Sequence, residues 1–361
     1  MASAMERKRQ GERLTFIDLM RGYAILMMLQ GHTVNVALAE KWRDVNYPVF
    51  VGWYYMTGLT APTFFFAAGF IFAFLMARGE EVGGQRLQKG VKRCASLMIL
   101  GWVFHLKPPF FQALGRGDFA VIGDLFGRSH VLHVIGLSLL LMIILWILTG
   151  RRGGRFAILA LVSGQAAFLL GPMLASWPGD DPVWLRPLGT FLSKNHAYFP
   201  LFPWGGHALH GAALGVLAWK TKWYRQFEKF LWFSLLGFGV MGLTGLLPEA
   251  SRAAYWRGGE VLILMGVIGG LGHALAYKGL DDAWLVRVVT RCGQETLTIF
   301  CLHTVILYGT WFGLGLQRFH EKALGPWQTV GVVLLVEAGF IALALNLPKL
   351  RERFPPLRLL R

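Results

Sequence analysis

The sequence predicts an all-α polytopic membrane protein of about ten transmembrane helices, with the N-terminus and C-terminus both cytoplasmic. Three observations predict it. The 361 residues are 55% hydrophobic, with a mean hydropathy of +0.48. Only 16% are charged, against roughly 25% in soluble domains. Lys and Arg nonetheless outnumber Asp and Glu by 36 to 20, and the surplus falls in alternate loops. Such a chain is too apolar to be disordered or to be a basic nucleic-acid tail. Its three cysteines are too few for a secreted disulfide scaffold.

A spanning helix needs about 20 mostly apolar residues, at about 1.5 Å rise per residue through about 30 Å of hydrocarbon. Runs of that kind lie near 16–38, 51–77, 92–106, 129–149, 155–175, 199–219, 227–247, 257–278, 293–313 and 326–347. No repeat or long linker divides them, so residues 1–361 read as one transmembrane domain. The stretch 108–127 contains Pro108-Pro109 and Gly115-Arg116-Gly117-Asp118, and reads as a loop or re-entrant piece. The N-terminal tail (Arg7, Lys8, Arg9, Arg13), the even-numbered loops and the C-terminal tail carry 24 Lys and Arg. The odd-numbered loops carry 11, and this asymmetry places both termini inside. The remaining cation, Arg21, lies within the first span. Basic residues before that span and Ala37-Leu38-Ala39 after it imitate a signal peptide, but Asp18, Arg21 and His32 interrupt the apolar region. Cys94, Cys292 and Cys301 fall on the cytoplasmic side or within spans, which argues against a structural disulfide.

Ionisable groups at membrane depth are costly and face a cavity or a partner. The first span is the richest in them. At about 100° per residue, Arg21 and His32 differ by only about 20° around the helix, and Asp18 and His32 by about 40°. Asp18, Arg21 and His32 therefore share one face, with Met28 between them, Asn35 one turn beyond, and Gln30 on the opposite side. His32 stands about 16 Å further along the axis than Arg21. The plain alternative for Asp18 and Arg21 is an i,i+3 ion pair at a helix start. His130 and His133, and likewise His207 and His210, have the His-x-x-His spacing that puts two imidazoles on one face. They read as groups lining a wet vestibule, or as a zinc site, for which no carboxylate or cysteine stands at matching spacing. His105 and His196 lie at a similar depth. Glu260 starts the eighth span from outside, Glu295 and His303 share the ninth, and Glu337 in the tenth needs a partner the sequence does not name.

Asp18-Leu-Met-Arg21-Gly22 and the Arg21-x10-His32 spacing resemble the first-helix motif of integral-membrane acyltransferases. Four further segments are similar to the heparan-alpha-glucosaminide N-acetyltransferase catalytic-domain family, which is related to the type 3 acyltransferases. They run Gly58 to Gly69, Val131 to Gly136, Phe199 to Trp204, and Gly293 to His303. The resemblance implies transfer of an acyl group, usually acetyl, from cytoplasmic acetyl-CoA to a sugar hydroxyl or amine across the membrane. No metal is expected, since no carboxylate or cysteine stands at matching spacing beside the histidine pairs. On the basis of the resemblance, His32 is the candidate general base, with Asn35 and His303 as further catalytic candidates. Arg21 and Asp18 are assigned to the acyl-CoA, and His133, His207, His210 and Glu260 to the acceptor. One departure matters. Animal-type members carry Asn at the position of His32 and a His in the following loop, whereas residues 33–55 here contain none. Glucosamine specificity is therefore not carried over, and the His32 arrangement is more like the type 3 pattern.

The expected partners are the lipid bilayer, acyl-CoA and a carbohydrate or glycolipid acceptor, with no nucleic acid and the oligomeric state open. The chain's compactness favours a bacterial inner membrane. Two other classes fit the intramembrane charges: a proton-coupled transporter or flippase using His32, His303 and Glu337, and a metal-dependent hydrolase built on the two His-x-x-His pairs.

Overall fold

The computed structural model describes residues 14–44, 46–79, 85–119, 121–122, 129–175 and 199–353. Arg7, Lys8, Arg9, Arg13 and His196 lie outside them. Regular structure among the described residues is helical, apart from one isolated parallel bridge between Leu38 and Leu324.

The helices follow the apolar runs. They are α1 (Thr15–Ala37), α2 (Pro48–Thr57), α3 (Thr60–Gly79), α4 (Gln85–Val103), α5 (Pro108–Arg116), α6 (Val131–Leu148) and α7 (Gly153–Ala175). Then come α8 (Leu201–Thr221), α9 (Phe227–Leu243), α10 (Glu249–Tyr277), α11 (Trp284–Gln294), α12 (Thr296–Tyr308), α13 (Leu316–His320) and α14 (Pro326–Arg353). Each expected span coincides with helix, yet by length and apolarity six helices among the described residues qualify as membrane spans. The number is seven if the bent pair α4–α5 counts as one. The difference has physical causes. Helices α1 and α8 carry polar residues because they face other helices and cavities, and α12 has only 13 residues. The stretch after Pro108 is not a plain loop: it forms α5, bent 72° from α4, and Gly117 closes it with φ 68°. The ninth run is interrupted at Glu295 (φ −103°, ψ 20°), and Gly309 (φ 64°) ends it before residue 313.

In lipid, apolar burial gives little drive for helix association, so close packing through small residues does more of the work. Helices α3 and α8 show this. A Cβ on Gly211 or Gly215 of α8 would strike the carbonyl oxygen of Phe66 or Phe70, and one on Gly69 of α3 would strike that of Ala208. The two backbones thus lock against one another, with Phe65, Phe70 and Phe74 buried around them. Helix α1 is the hub, packing on α2, α3, α10, α11, α12, α13 and α14. Helices α4 and α6 pair with each other, and a cavity separates them from α1 and α12. Helices α9 and α14 are peripheral, with only 17% of their apolar windows buried. All three cysteines are free and buried.

Candidate active site

The polar stripe of α1 opens onto two cavities. The longer, about 910 Å³, runs along α1 past Arg21, Ile25, Met28, His32 and Asn35. Its other walls come from α3, α4, α6 and α12. The shorter, about 520 Å³, lies between α1 and α2. Met28, His32, Asn35 and Thr60 line both.

At the Arg21 end, two sequence segments interlock. Gly22 lets α11 approach so closely that a Cβ would strike the carbonyl of Val289, and Gly293 does the same against the carbonyl of Asp18. The residues after Gly293 then reach α1. Gln294 Nε2 donates to Asp18 Oδ2 (3.2 Å), and Arg21 Nη2 donates to the Thr296 hydroxyl (2.7 Å). Asp18 also pairs with Arg21 at 3.7 Å. Buried Glu295 accepts from Arg351 at 2.7 Å and pairs with Arg291 at 2.8 Å, and Arg291 donates to Gln294 Oε1 (3.2 Å). Asp18 therefore sits between Arg21 and Gln294, within a network tied to α14. Arg86, Lys89 and Arg93 of α4 line the same cavity, and Arg93 lies close enough to Arg21 to repel it electrostatically. Several cations thus surround one end of the cavity and give it a positive potential.

At the other end, His32 Nδ1 lies 2.6 Å from the Tyr308 hydroxyl, and the His32 and His303 rings are 5.0 Å apart. Asn35 accepts from Arg43 Nη1 at 3.1 Å and lines the same cavity as Tyr308. Two helices at opposite ends of the chain thus bring His32, Asn35, His303 and Tyr308 together. Thr304 and His130 complete the lining on that side.

The remaining expected site residues sit elsewhere. His133 Nδ1 accepts from the backbone N–H of His130 (3.1 Å), and its Nε2 lies 3.1 Å from the Met98 carbonyl of α4. It caps α6 and packs over Gly101, while its neighbour His130 faces the long cavity. His210 bonds the Gly206 carbonyl (2.7 Å) and Gln165 (2.9 Å), and Gln165 accepts from Tyr255 (2.6 Å). His207 packs on Phe168 beside it. Neither lines these two cavities. Glu260 accepts from Tyr55, from Trp256 (2.7 Å) and from Arg257 (2.8 Å). Among the described residues, no three His, Cys, Asp or Glu converge as a metal site.

The sequence profile of the family described as heparan-alpha-glucosaminide N-acetyltransferase, catalytic, matches residues 13–246. The chain belongs to this family. It is a family of membrane acetyltransferases, and the apolar helices make this member an integral membrane protein. No curated protein matches the chain significantly. The family match covers α1 to α9 and ends before the segment Gly293 to His303 that closes the site.

Sequence reasoning missed Tyr308, Thr296 and the α4 cations; His130, read as a vestibule or zinc residue, does line the long cavity. The signal for the cations was present: Arg86, Lys89 and Arg93 fall at i, i+3 and i+7, one face of a helix. Topology alone explains these charges, so the loop-charge asymmetry absorbs them.

Proposed function

We propose that the protein is a transmembrane acyltransferase. It takes an acyl group, acetyl by family, from cytoplasmic acyl-CoA and passes it to a hydroxyl or amine of a sugar across the membrane. His32 is the general base. One observation supports this above the others: His32 and Asn35 stand in the wall shared by two cavities, and the longer reaches back to a cluster of cations around Arg21.

The donor enters the long cavity with its phosphates against Arg21, Arg86, Lys89 and Arg93. Arg21 and His32 are separated by about 16 Å along one helix, a length that an extended pantetheine arm spans. The thioester then lies at His32. The acceptor approaches from the short cavity. Its hydroxyl or amine attacks the thioester carbonyl while His32 Nε2 takes the proton. For that, Nδ1 carries a hydrogen and donates it to Tyr308, which holds the ring in place. Collapse of the tetrahedral intermediate breaks the C–S bond, and the imidazolium returns the proton to the departing thiolate. His303 and Asn35 are placed to donate to the oxyanion. The apolar walls between the two ends, with Ile25, Ile71, Leu97 and Leu139, keep water from the thioester. The reading places both termini in the cytoplasm and the membrane as a bacterial inner membrane.

The test is incubation of the purified protein with labelled acetyl-CoA and a bacterial envelope extract, wild type beside His32→Ala. Label should enter an acceptor and fall about 10²–10⁴-fold in the variant. No His32-dependent label in any acceptor, together with no acetyl-CoA binding, overturns the reading.

A further inference from the structure

The short cavity is walled on one side by α2, and α2 is an unusual wall. It has no buried residue and packs chiefly on α1. Its outward side chains are apolar: Val49 is 87% exposed, and Val51 and Met56 are exposed as well. With α3 it forms an apolar helical stretch of 32 residues. Such a stretch is about 48 Å long, well beyond the roughly 30 Å of hydrocarbon, so α2 rises to the headgroup level. Tyr47, Trp53, Tyr54 and Tyr55 agree with that level, because Trp and Tyr collect at membrane interfaces.

The lining divides by chemistry. Met27, Met28, Val34 and Phe50 present apolar surface, whereas His32, Asn35, Thr57 and Thr60 present polar groups. Trp53 and Tyr54 add ring faces of the kind on which sugars stack. Arg43 also lines the cavity, but its guanidinium is engaged with the carbonyls of Val34, Asn35 and Leu38, and so caps the end of α1. A fully water-soluble glycan matches only the polar part. A sugar on a hydrocarbon anchor matches both parts, and its headgroup lies at the level of α2.

Helix α2 is also held more by side-chain hydrogen bonds than by packing. Trp53 Nε1 donates to Gln30 Oε1 (3.3 Å), and Gln30 donates to Glu337 of α14 (3.0 Å). The Tyr55 hydroxyl donates to Glu260 of α10. Helix α2 has no buried residue to displace in moving toward lipid.

We propose that the acceptor is a glycolipid, admitted to the short cavity laterally from the bilayer beneath α2, with its sugar hydroxyl or amine presented to His32. This rests on the acyltransferase reading above. The test uses the full chain in nanodiscs with labelled acetyl-CoA and an envelope extract divided into chloroform–methanol-soluble lipids and water-soluble glycans. His32-dependent label is expected in the lipid fraction, at least about tenfold above the aqueous one. Label confined to water-soluble glycans overturns the inference and leaves the acyltransferase reading standing. Donor binding without transfer to either fraction also overturns it. Absence of both donor binding and transfer sinks the acyltransferase reading itself.

A second variant tests the route. A Cβ on Gly31 would lie 3.5 Å from the Thr57 Cβ, within the roughly 3.5–4.5 Å that a disulfide spans. Gly31→Cys with Thr57→Cys, when oxidised, should pin α2 to α1. Labelling of the lipid fraction by the oxidised variant is then lost relative to the same variant reduced, while donor binding persists in both. Equal labelling in both redox states overturns admission beneath α2.

Discussion

Among the described residues, His32 is the one titratable side chain that both cavities share, and its neighbours define how it can act. Tyr308→Phe removes the partner 2.6 Å from Nδ1 while keeping the ring. The expected result is a fall in kcat of about tenfold or more with donor KM little changed, since a mis-set imidazole is a poorer base. Steady-state kinetics on proteoliposomes check it. Arg21→Gln should do the reverse. It removes a charge at the phosphate end and a bond to Thr296, and charge-assisted hydrogen bonds are worth about 1.5–3 kcal/mol each. Donor affinity should fall about ten- to a hundredfold, measured by equilibrium binding of acetyl-CoA, while the rate at saturating donor falls less. Part of this site was legible in the sequence. The helical step alone puts Asp18, Arg21, His32 and Asn35 on one face; Arg21, His32 and Asn35 do line the cavities, whereas Asp18 is buried against Arg21 and Gln294, and Gln30 is turned toward Glu337. Tyr308 and Thr296 were not legible, because each lies 275 or 276 residues from the α1 side chain it bonds. No local pattern encodes that distance.

At the scale of elements, the interlock of α1 with α11 and α12 sets the Arg21 end. Glu295 is 5% exposed and holds two arginines. Glu295→Ala leaves those cations facing each other, and uncompensated buried charge costs about 3–5 kcal/mol. The variant should lose several degrees of Tm in detergent and bind acetyl-CoA more weakly, through Arg291, Gln294 and Asp18. The α3–α8 contact makes a different prediction. Gly211→Leu forces a side chain into the backbone of Phe66 and should abolish accumulation of folded protein, read by size-exclusion profile. Helix positions were legible because apolar length marks them. Helix ends and breaks were less so: Gly309 stops α12 through backbone conformation, and the interruption at Glu295 falls at a charge held by tertiary partners.

At the scale of the whole molecule, the charge asymmetry makes a topological prediction. A reporter fused after Arg361 should be active in the cytoplasm, and a periplasmic signal would break the assignment of donor and acceptor sides. The fold class was legible from composition, since apolar content and loop cations are global quantities. By length and apolarity, six or seven helices among the described residues qualify as crossings, against ten apolar runs in the sequence, because α1 and α8 pack on other helices and carry polar residues. The position of α12 has one more consequence. Residues 13–246 carry the family signature, but His303, Thr296 and Tyr308 come from beyond it. A truncated chain ending at Leu246 would keep the basic α4 face and His32 yet leave the long cavity without one wall. Activity should return only by complementation, when the missing C-terminal fragment is co-expressed and reassembles around α1.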